Sequence, residues 1–422
     1  MSVLAIHGGP AVIQRALPSN MLGAALYGKE ELEQLEEVIA EKSPFRHYGV
    51  GKPHKVEDFE EETAKLFGVK YTLAVSSCSG ALYCALAAIG TGAGDEVILP
   101  AFSWYSVYYS IMNTGALPVF ADIDESLNMD PGDFEQKITP RTKAVVVIHY
   151  QGGAADMDRI MTIARKHDIL VVEDFAQAFG AVYKGKMIGS IGDIAVASFQ
   201  ANKIISSGEG GLLLTNHEQF FVRAVRYHDL GFVRQVFRDR LEHMELAEND
   251  LSFAGLQFRM SELQGAVMLA QLHKLPLILE RCRKHHARIK NAFQDNGHFK
   301  FRPVPEGECG ITLFLLFEST EEAKLFSRAI RAEGVSVGPS SGCKNLLREY
   351  PVKTQKMAFR DMPPFGLADS DVTAYDINTA APNTDRILSR YVAVGIGSLY
   401  EDKDIDDIIS ALQKVLDGIY KG

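Results

Sequence analysis

Val171-Val-Glu-Asp-Phe-Ala-Gln177 reads as the end of a buried β-strand that stops on two adjacent carboxylates. The run Ile169-Leu-Val-Val172 leads into it without polar alternation, as expected of a strand covered on both faces. Similar short apolar runs recur on either side of it. They are Thr72-Leu-Ala-Val75, Glu96-Val-Ile-Leu99, Leu117-Pro-Val-Phe120, Ala144 to Ile148, Ile194-Ala-Val-Ala197 and Gly211-Leu-Leu-Leu-Thr215. Helical stretches lie between and before them, among them Glu60 to Phe67, which stops at Gly68, and Ala81 to Ile89. This order predicts an α/β fold with a mostly parallel sheet covered by helices.

Farther along, residues 228 to 256 turn polar and charge-mixed, which suggests a long loop holding a short helix. Ser261 to Lys290 regains helical periodicity, with Leu263, Val267, Leu269, Leu272 and Leu275 spaced for one buried face. A second unit follows from about Phe299: strand Thr312 to Phe317, helix Thr320 to Glu333, strand Val335 to Val337, and a terminal helix from Asp404 to Tyr420. The expected division is a large domain with an N-terminal arm over 1–275 and a smaller C-terminal α+β domain over 276–422. A length of 422 residues suits two such units.

Composition narrows the function. Hydrophobic residues make up 46% and charged ones 23%, as in an ordinary globular chain. A formal charge of −10 argues against nucleic acid or an anionic membrane as a partner. No apolar stretch approaches the roughly 20 residues that a membrane span needs, and Met1 to Pro10 does not read as a signal peptide. The five cysteines form no CxxC pair, so neither a zinc site nor a disulfide framework is expected. These features point to a cytoplasmic enzyme without a metal.

Three features fall at strand ends, where open α/β sheets bind ligands. Asp174 closes the strand quoted first; taken alone, it reads as a helix N-cap. Lys203, in Ser198-Phe-Gln-Ala-Asn-Lys203 ahead of Gly208-Glu-Gly-Gly211, is a long cation between two apolar strands, a costly place unless it is used. Ser76-Ser-Cys-Ser-Gly80 turns a strand into a helix, and its free backbone N–H groups suit an anion. A carboxylate, a lysine and an anion cradle at adjacent strand ends together match pyridoxal 5′-phosphate (PLP): a pyridine nitrogen, an aldehyde and a phosphate.

The stretches Val172 to Ala181, Gly189-Ser-Ile-Gly-Asp193, Ser198 to Lys203 and Gly208 to Gly211 resemble the signature of the DegT/DnrJ/EryC1/StrS family of sugar aminotransferases. Gly94 to Trp104, Thr139 to Ala144 and Gly255-Leu-Gln-Phe-Arg-Met-Ser261 resemble further family segments in the same order. The likeness is close over residues 20 to 275 and looser beyond. It implies PLP fold type I, the aspartate aminotransferase fold.

The resemblance also implies roles. Lys203 carries the cofactor covalently and, once freed as an amine, moves the proton. Asp174 faces the pyridine nitrogen, Gln177 the ring's phenolic oxygen, and Trp104, the chain's one tryptophan, stacks on the ring. Ser198, Ser79 and the N–H of Gly80 cradle the phosphate. Cys78-Ser79 stands where the family has Gly-Thr, a departure that bears on the turn's geometry. Gln257 takes the place of a family asparagine that reaches the phosphate from the partner subunit, which implies a homodimer with a shared site. Weaker candidates are Tyr48, in a segment bordering the substrate, and Arg259, for the donor's carboxylate or an interface ion pair. His149 follows a strand and is expected to cap it rather than to line the cofactor pocket, and Glu209 to position the Gly-rich turn.

The implied reaction moves an amino group from L-glutamate or L-glutamine to a keto-sugar or keto-cyclitol by a ping-pong cycle, in making an amino sugar for an antibiotic or a cell-surface polysaccharide. Phe45 to Gly49 and Ser261 to Leu272 resemble the cyclitol branch; Ala381 to Arg390 resembles the branch acting on an oxidised octulosonate. Nucleotide-linked keto-hexoses are the commonest family substrates. Two further readings are a family dehydratase, in which histidine replaces the lysine, and a PLP-binding relative without catalysis. Lys203 argues against the first, and the presence of Asp174, Lys203 and Gln177 against the second.

Overall fold

A computed structural model describes residues 3–51, 54–338, 343–358, 362–365 and 380–420. Seven strands form the main sheet: β1 (Tyr71–Val75), β2 (Glu96–Pro100), β3 (Leu117–Ala121), β4 (Thr142–Ile148), β5 (Leu170–Asp174), β6 (Ile194–Ser198) and β7 (Gly211–Thr215). Their order is β1-β7-β6-β5-β4-β2-β3. Only β7 runs antiparallel to its neighbours in this sheet. Because β1 and β6 each pair antiparallel with β7, the chain leaves β1, β5 and β6 at the same edge.

Helices cover both faces, which is why the strands read as apolar runs. On one face α3 (Cys78–Ala88), α4 (Tyr105–Asn113) and α6 (Glu218–His228) bury Leu82, Ile111 and Phe221 against Val146, Val172 and Leu213. On the other, α2 (Lys55–Phe67), α5 (Met157–Lys166) and α7 (Glu262–Ala292) set Phe59, Ile160 and Met268 against Val145, Val171 and Ala197. Helix α1 (Lys29–Ala40) leans on α7. Gly68, at φ +65°, ends α2 in the left-handed conformation that glycine adopts without strain.

Helix α7 starts at a capping box between Ser261 and Gln264 and continues through Pro276 for 31 residues. The division expected at 275 therefore falls inside one continuous helix. Leu269, Leu272 and Leu275 are buried as the spacing predicts, but Leu263 is exposed in the first turn. Beyond the helix, β8 (Lys300–Phe301), β9 (Thr312–Leu316) and β10 (Tyr391–Gly395) form an antiparallel sheet, flanked by α8 (Thr320–Ala332) and α9 (Asp402–Tyr420).

Val335 to Val337 is not a strand. The Val335 N–H closes the end of α8 on Ile330 O at 3.2 Å, and Val337 keeps a single bridge to Val394. The first residues pack on this C-terminal unit: Glu333, fully buried, accepts from Ala5 N at 2.8 Å and Val12 N at 3.0 Å. Lys414 neutralises it at 2.8 Å. The N-terminal arm is thus part of the smaller unit's core.

Candidate active site

At the carboxyl edge of β1, β5 and β6 the chain opens into a cavity of about 330 Å3. Asp174 and Gln177 line it from the end of β5, Ser198 and Lys203 from the end of β6, Ser79 from α3, and Trp104 from the residue before α4. Sequence reasoning did not single out Ser106, Gln200 and Asn202, which line it as well. Glu209 also borders the cavity, and its carbonyl accepts from Gln264 Nε2 at 2.8 Å, tying the Gly-rich turn to α7.

Glycine is what brings these walls together. A Cβ on Gly211 would lie 2.3 Å from the carbonyl oxygen of Ser77, so only glycine lets β7 start against the turn into α3. At that turn the Ser77 side chain caps the helix by accepting from Gly80 N at 3.1 Å. The Gly80 N–H is therefore spent inside the helix and does not face the cavity as expected. Among the described residues the N–H groups of Cys78 and Ser79 have no partner, and both residues line the cavity.

Lys203 is fixed by its backbone, with its N–H on Gln200 O at 2.9 Å and its carbonyl accepting from Gly23 N at 3.4 Å. Among the described residues its Nζ has neither an ion pair nor a hydrogen bond, and it acts on Asp174 only across the cavity. Asp174 is buried, and its one side-chain hydrogen bond among the described residues is from Ala176 N at 3.0 Å. It caps no helix. Burial pushes its carboxyl above the usual aspartate range, against the opposing pull of the Ala176 N–H, Lys203 and His149. A buried acid short of a counter-charge beside an unpaired amine is a site prepared for a cationic partner.

The neighbouring carboxylate has a different task. Glu173 is fully buried, accepts from Gly189, Ile191 and Gly192 N–H groups at 3.0, 2.7 and 2.6 Å, and meets His149 Nε2 at 3.1 Å. Burial alone would push its carboxyl up, yet His149 and those N–H groups outweigh it and hold the carboxyl below the usual glutamate range. His149 also accepts from Ala155 N at 3.1 Å, so it ties the strand end to the following loop without lining the cavity. A lowered carboxyl contributes stability above the unfolded-state value that is lost as pH falls through the folded one. Glu173→Gln should cost about 3 kcal/mol at pH 7, with the gap to wild type closing below about pH 4. Denaturant unfolding at both pH values checks this; an equal gap at both would contradict it.

Other expected residues lie elsewhere. Tyr48 is 71% exposed and packs on Phe45 beside a separate cavity of about 670 Å3. Arg259 is paired with Asp229 and lies over the Phe45 ring, so its guanidinium is already engaged inside the chain. Gln257 is exposed and bridges to Asp229 through its backbone. None of the three lines the lysine cavity.

Against this geometry, the sequence model of the DegT/DnrJ/EryC1/StrS aminotransferase family matches residues 26–413. The chain belongs to this family. It is 32% identical over 409 residues to the spore coat polysaccharide biosynthesis protein SpsC of Bacillus subtilis (strain 168), covering 93% of this chain and 96% of that protein. Among solved structures, it is similar to an aminotransferase from Psychrobacter cryohalolentis, with a TM-score of 0.77 and 26% identity over 93% of this chain and 98% of the other. It shares the fold of an E coli GDP-4-keto-6-deoxy-D-mannose-3-dehydratase with bound hydrated PLP, with a TM-score of 0.77 and 22% identity over 94% and 100%. The architecture is PLP fold type I, and the family member described here is a PLP-dependent aminotransferase. The unpaired amine, the buried acid and the free helix N–H groups fit that cofactor's aldehyde, ring nitrogen and phosphate. No helix among the described residues is long and apolar enough to cross a membrane.

Proposed function

We propose that the protein moves an amino group from L-glutamate or L-glutamine to the keto carbon of a sugar or cyclitol, in two half-reactions that share one site. The observation that carries this is the Nζ of Lys203, unpaired among the described residues, in the same cavity as the buried Asp174 carboxyl. When bound, PLP supplies an aldehyde for amine exchange and a ring that takes up electron density. Lys203 holds the cofactor and, as a neutral amine, carries the proton that leaves the donor's Cα. Asp174 keeps the ring nitrogen protonated. Ser79, Ser198 and the N–H groups of Cys78 and Ser79 hold the phosphate, and Trp104 covers the ring.

A sugar fits the remaining walls. Gln200, Asn202 and Ser106 offer neutral donors and acceptors suited to hydroxyl groups, and the relative SpsC is named for a polysaccharide pathway. We further propose that the working unit is a homodimer in which Gln257 reaches the phosphate of the second copy's site. Gln257 is exposed, and Leu256 and Phe232 nearby leave 48% and 60% of their surfaces open. A lysine at 203 disfavours the dehydratase reading.

A half-reaction screen tests the proposal. L-Glutamate or L-glutamine should bleach the yellow protein, and a keto-sugar or keto-cyclitol should restore the colour and emerge aminated. Failure of every amino donor to bleach it, or a product that has lost a hydroxyl group and gained no nitrogen, would overturn the proposal.

A further inference from the structure

Gln151 sits at φ +45° and ψ +54°, a left-handed conformation that a residue with a Cβ seldom keeps unless its surroundings impose it. Here they do. Arg302, buried in the C-terminal unit, donates to Tyr150 O at 2.8 Å and Gln151 O at 3.2 Å, and Gly152 N donates to Gln177 O at 2.8 Å. The strained backbone aims the Gln151 carboxamide between two side chains. Thr312 Oγ1 donates to Gln151 Oε1 at 2.8 Å, and Gln151 Nε2 donates to Gln177 Oε1 at 3.0 Å. Gln177 Nε2 then donates one hydrogen to Cys343 Sγ at 3.2 Å.

We infer that Gln151 is a positioning residue: with Thr312 it fixes which end of the Gln177 carboxamide faces the cofactor cavity. A carboxamide has one accepting and one donating end. With the Thr312 hydroxyl donating to the Gln151 oxygen, the Gln151 nitrogen points at Gln177 and the Gln177 oxygen receives it. Among the described residues this leaves the second Nε2 hydrogen of Gln177 without a partner, at a buried residue that lines the cavity. Reversing Gln151 would turn the Gln177 oxygen inward, an acceptor facing the ring's phenolic oxygen. The inference rests on the proposed reading that Gln177 meets that oxygen.

A donor at the phenolic oxygen stabilises its anion and weakens its hold on the proton of the adjoining lysine–cofactor linkage. The pH at which the bound cofactor changes colour should therefore be low while the relay is intact and higher when it is broken. The experiment is a pH titration of the absorbance of the cofactor-loaded wild type, Gln177→Leu, Gln151→Leu and Thr312→Val. Losing a hydrogen bond to a charged acceptor corresponds to a rise of about one to two pH units for Gln177→Leu. Gln151→Leu should give a large part of that rise, and Thr312→Val a smaller one.

If Gln151→Leu does not fold, Gln151→Asn replaces it, since asparagine tolerates the left-handed backbone but is one methylene too short to bridge both partners. A purely packing role would lower the melting temperature and leave the midpoint in place. An unchanged midpoint in the Gln151 and Thr312 variants while Gln177→Leu moves would overturn the relay alone. An unmoved Gln177→Leu would overturn both the relay and the contact on which it rests.

Discussion

Lys203→Ala protein purifies colourless, and its turnover falls by about 10³-fold or more, since a positioned proton carrier alone contributes roughly 10² to 10⁴ and the covalent attachment is lost as well. The expectation comes from the geometry around Nζ. The Lys203 backbone is held by Gln200 O and Gly23 N, and its amine has no ion pair or hydrogen bond among the described residues. A lysine serving stability would have a partner, as Lys414 has in Glu333. Removing Lys203 therefore costs little folding energy, and the variant should melt within a few degrees of the cofactor-free wild type. Absorbance spectra, steady-state rates and thermal melts check this; a yellow, active alanine variant would contradict it.

Asp174→Asn separates function from stability in the opposite way. The amide cannot keep a ring nitrogen protonated, so turnover should fall on the order of 10²- to 10³-fold, as when one preorganised electrostatic group is removed elsewhere. In cofactor-free protein the same change relieves a cost. The folded-state carboxyl is raised by burial, so its contribution is favourable below the unfolded-state value and becomes a penalty as pH rises through the folded one. At pH 7 the apo variant should therefore be at least as stable as apo wild type. Adding PLP should raise the melting temperature of wild type more than that of the variant. An apo variant clearly less stable than wild type would show that Asp174 is a structural acid.

What could be read from the sequence follows the physics of buried parallel strands. Each is a short apolar run, and each ends where the chain must turn polar, so β5, β6 and β1 announced Asp174, Lys203 and Ser79 without reference to contacts. The Gly80 N–H was misplaced because the cap of Ser77 is a contact between side chain and backbone that spacing does not reveal. The division expected at 275 lies within α7, which tolerates Pro276 and runs on to Ala292, so composition marks the change of unit without marking where the helix ends. Val335 to Val337 has the composition of a strand, but Gly334, at φ +94°, turns the chain so that Val335 closes α8. The left-handed backbone of Gln151 has no composition signal at all. It is imposed by Arg302 from about 150 residues away.

The covalent address of the cofactor is the most direct measurement. Borohydride reduction of the yellow protein, followed by digestion and mass spectrometry of the peptides, should place a single phosphopyridoxyl group on Lys203. The same group on any other lysine, or a yellow protein that yields no modified lysine, would contradict the account.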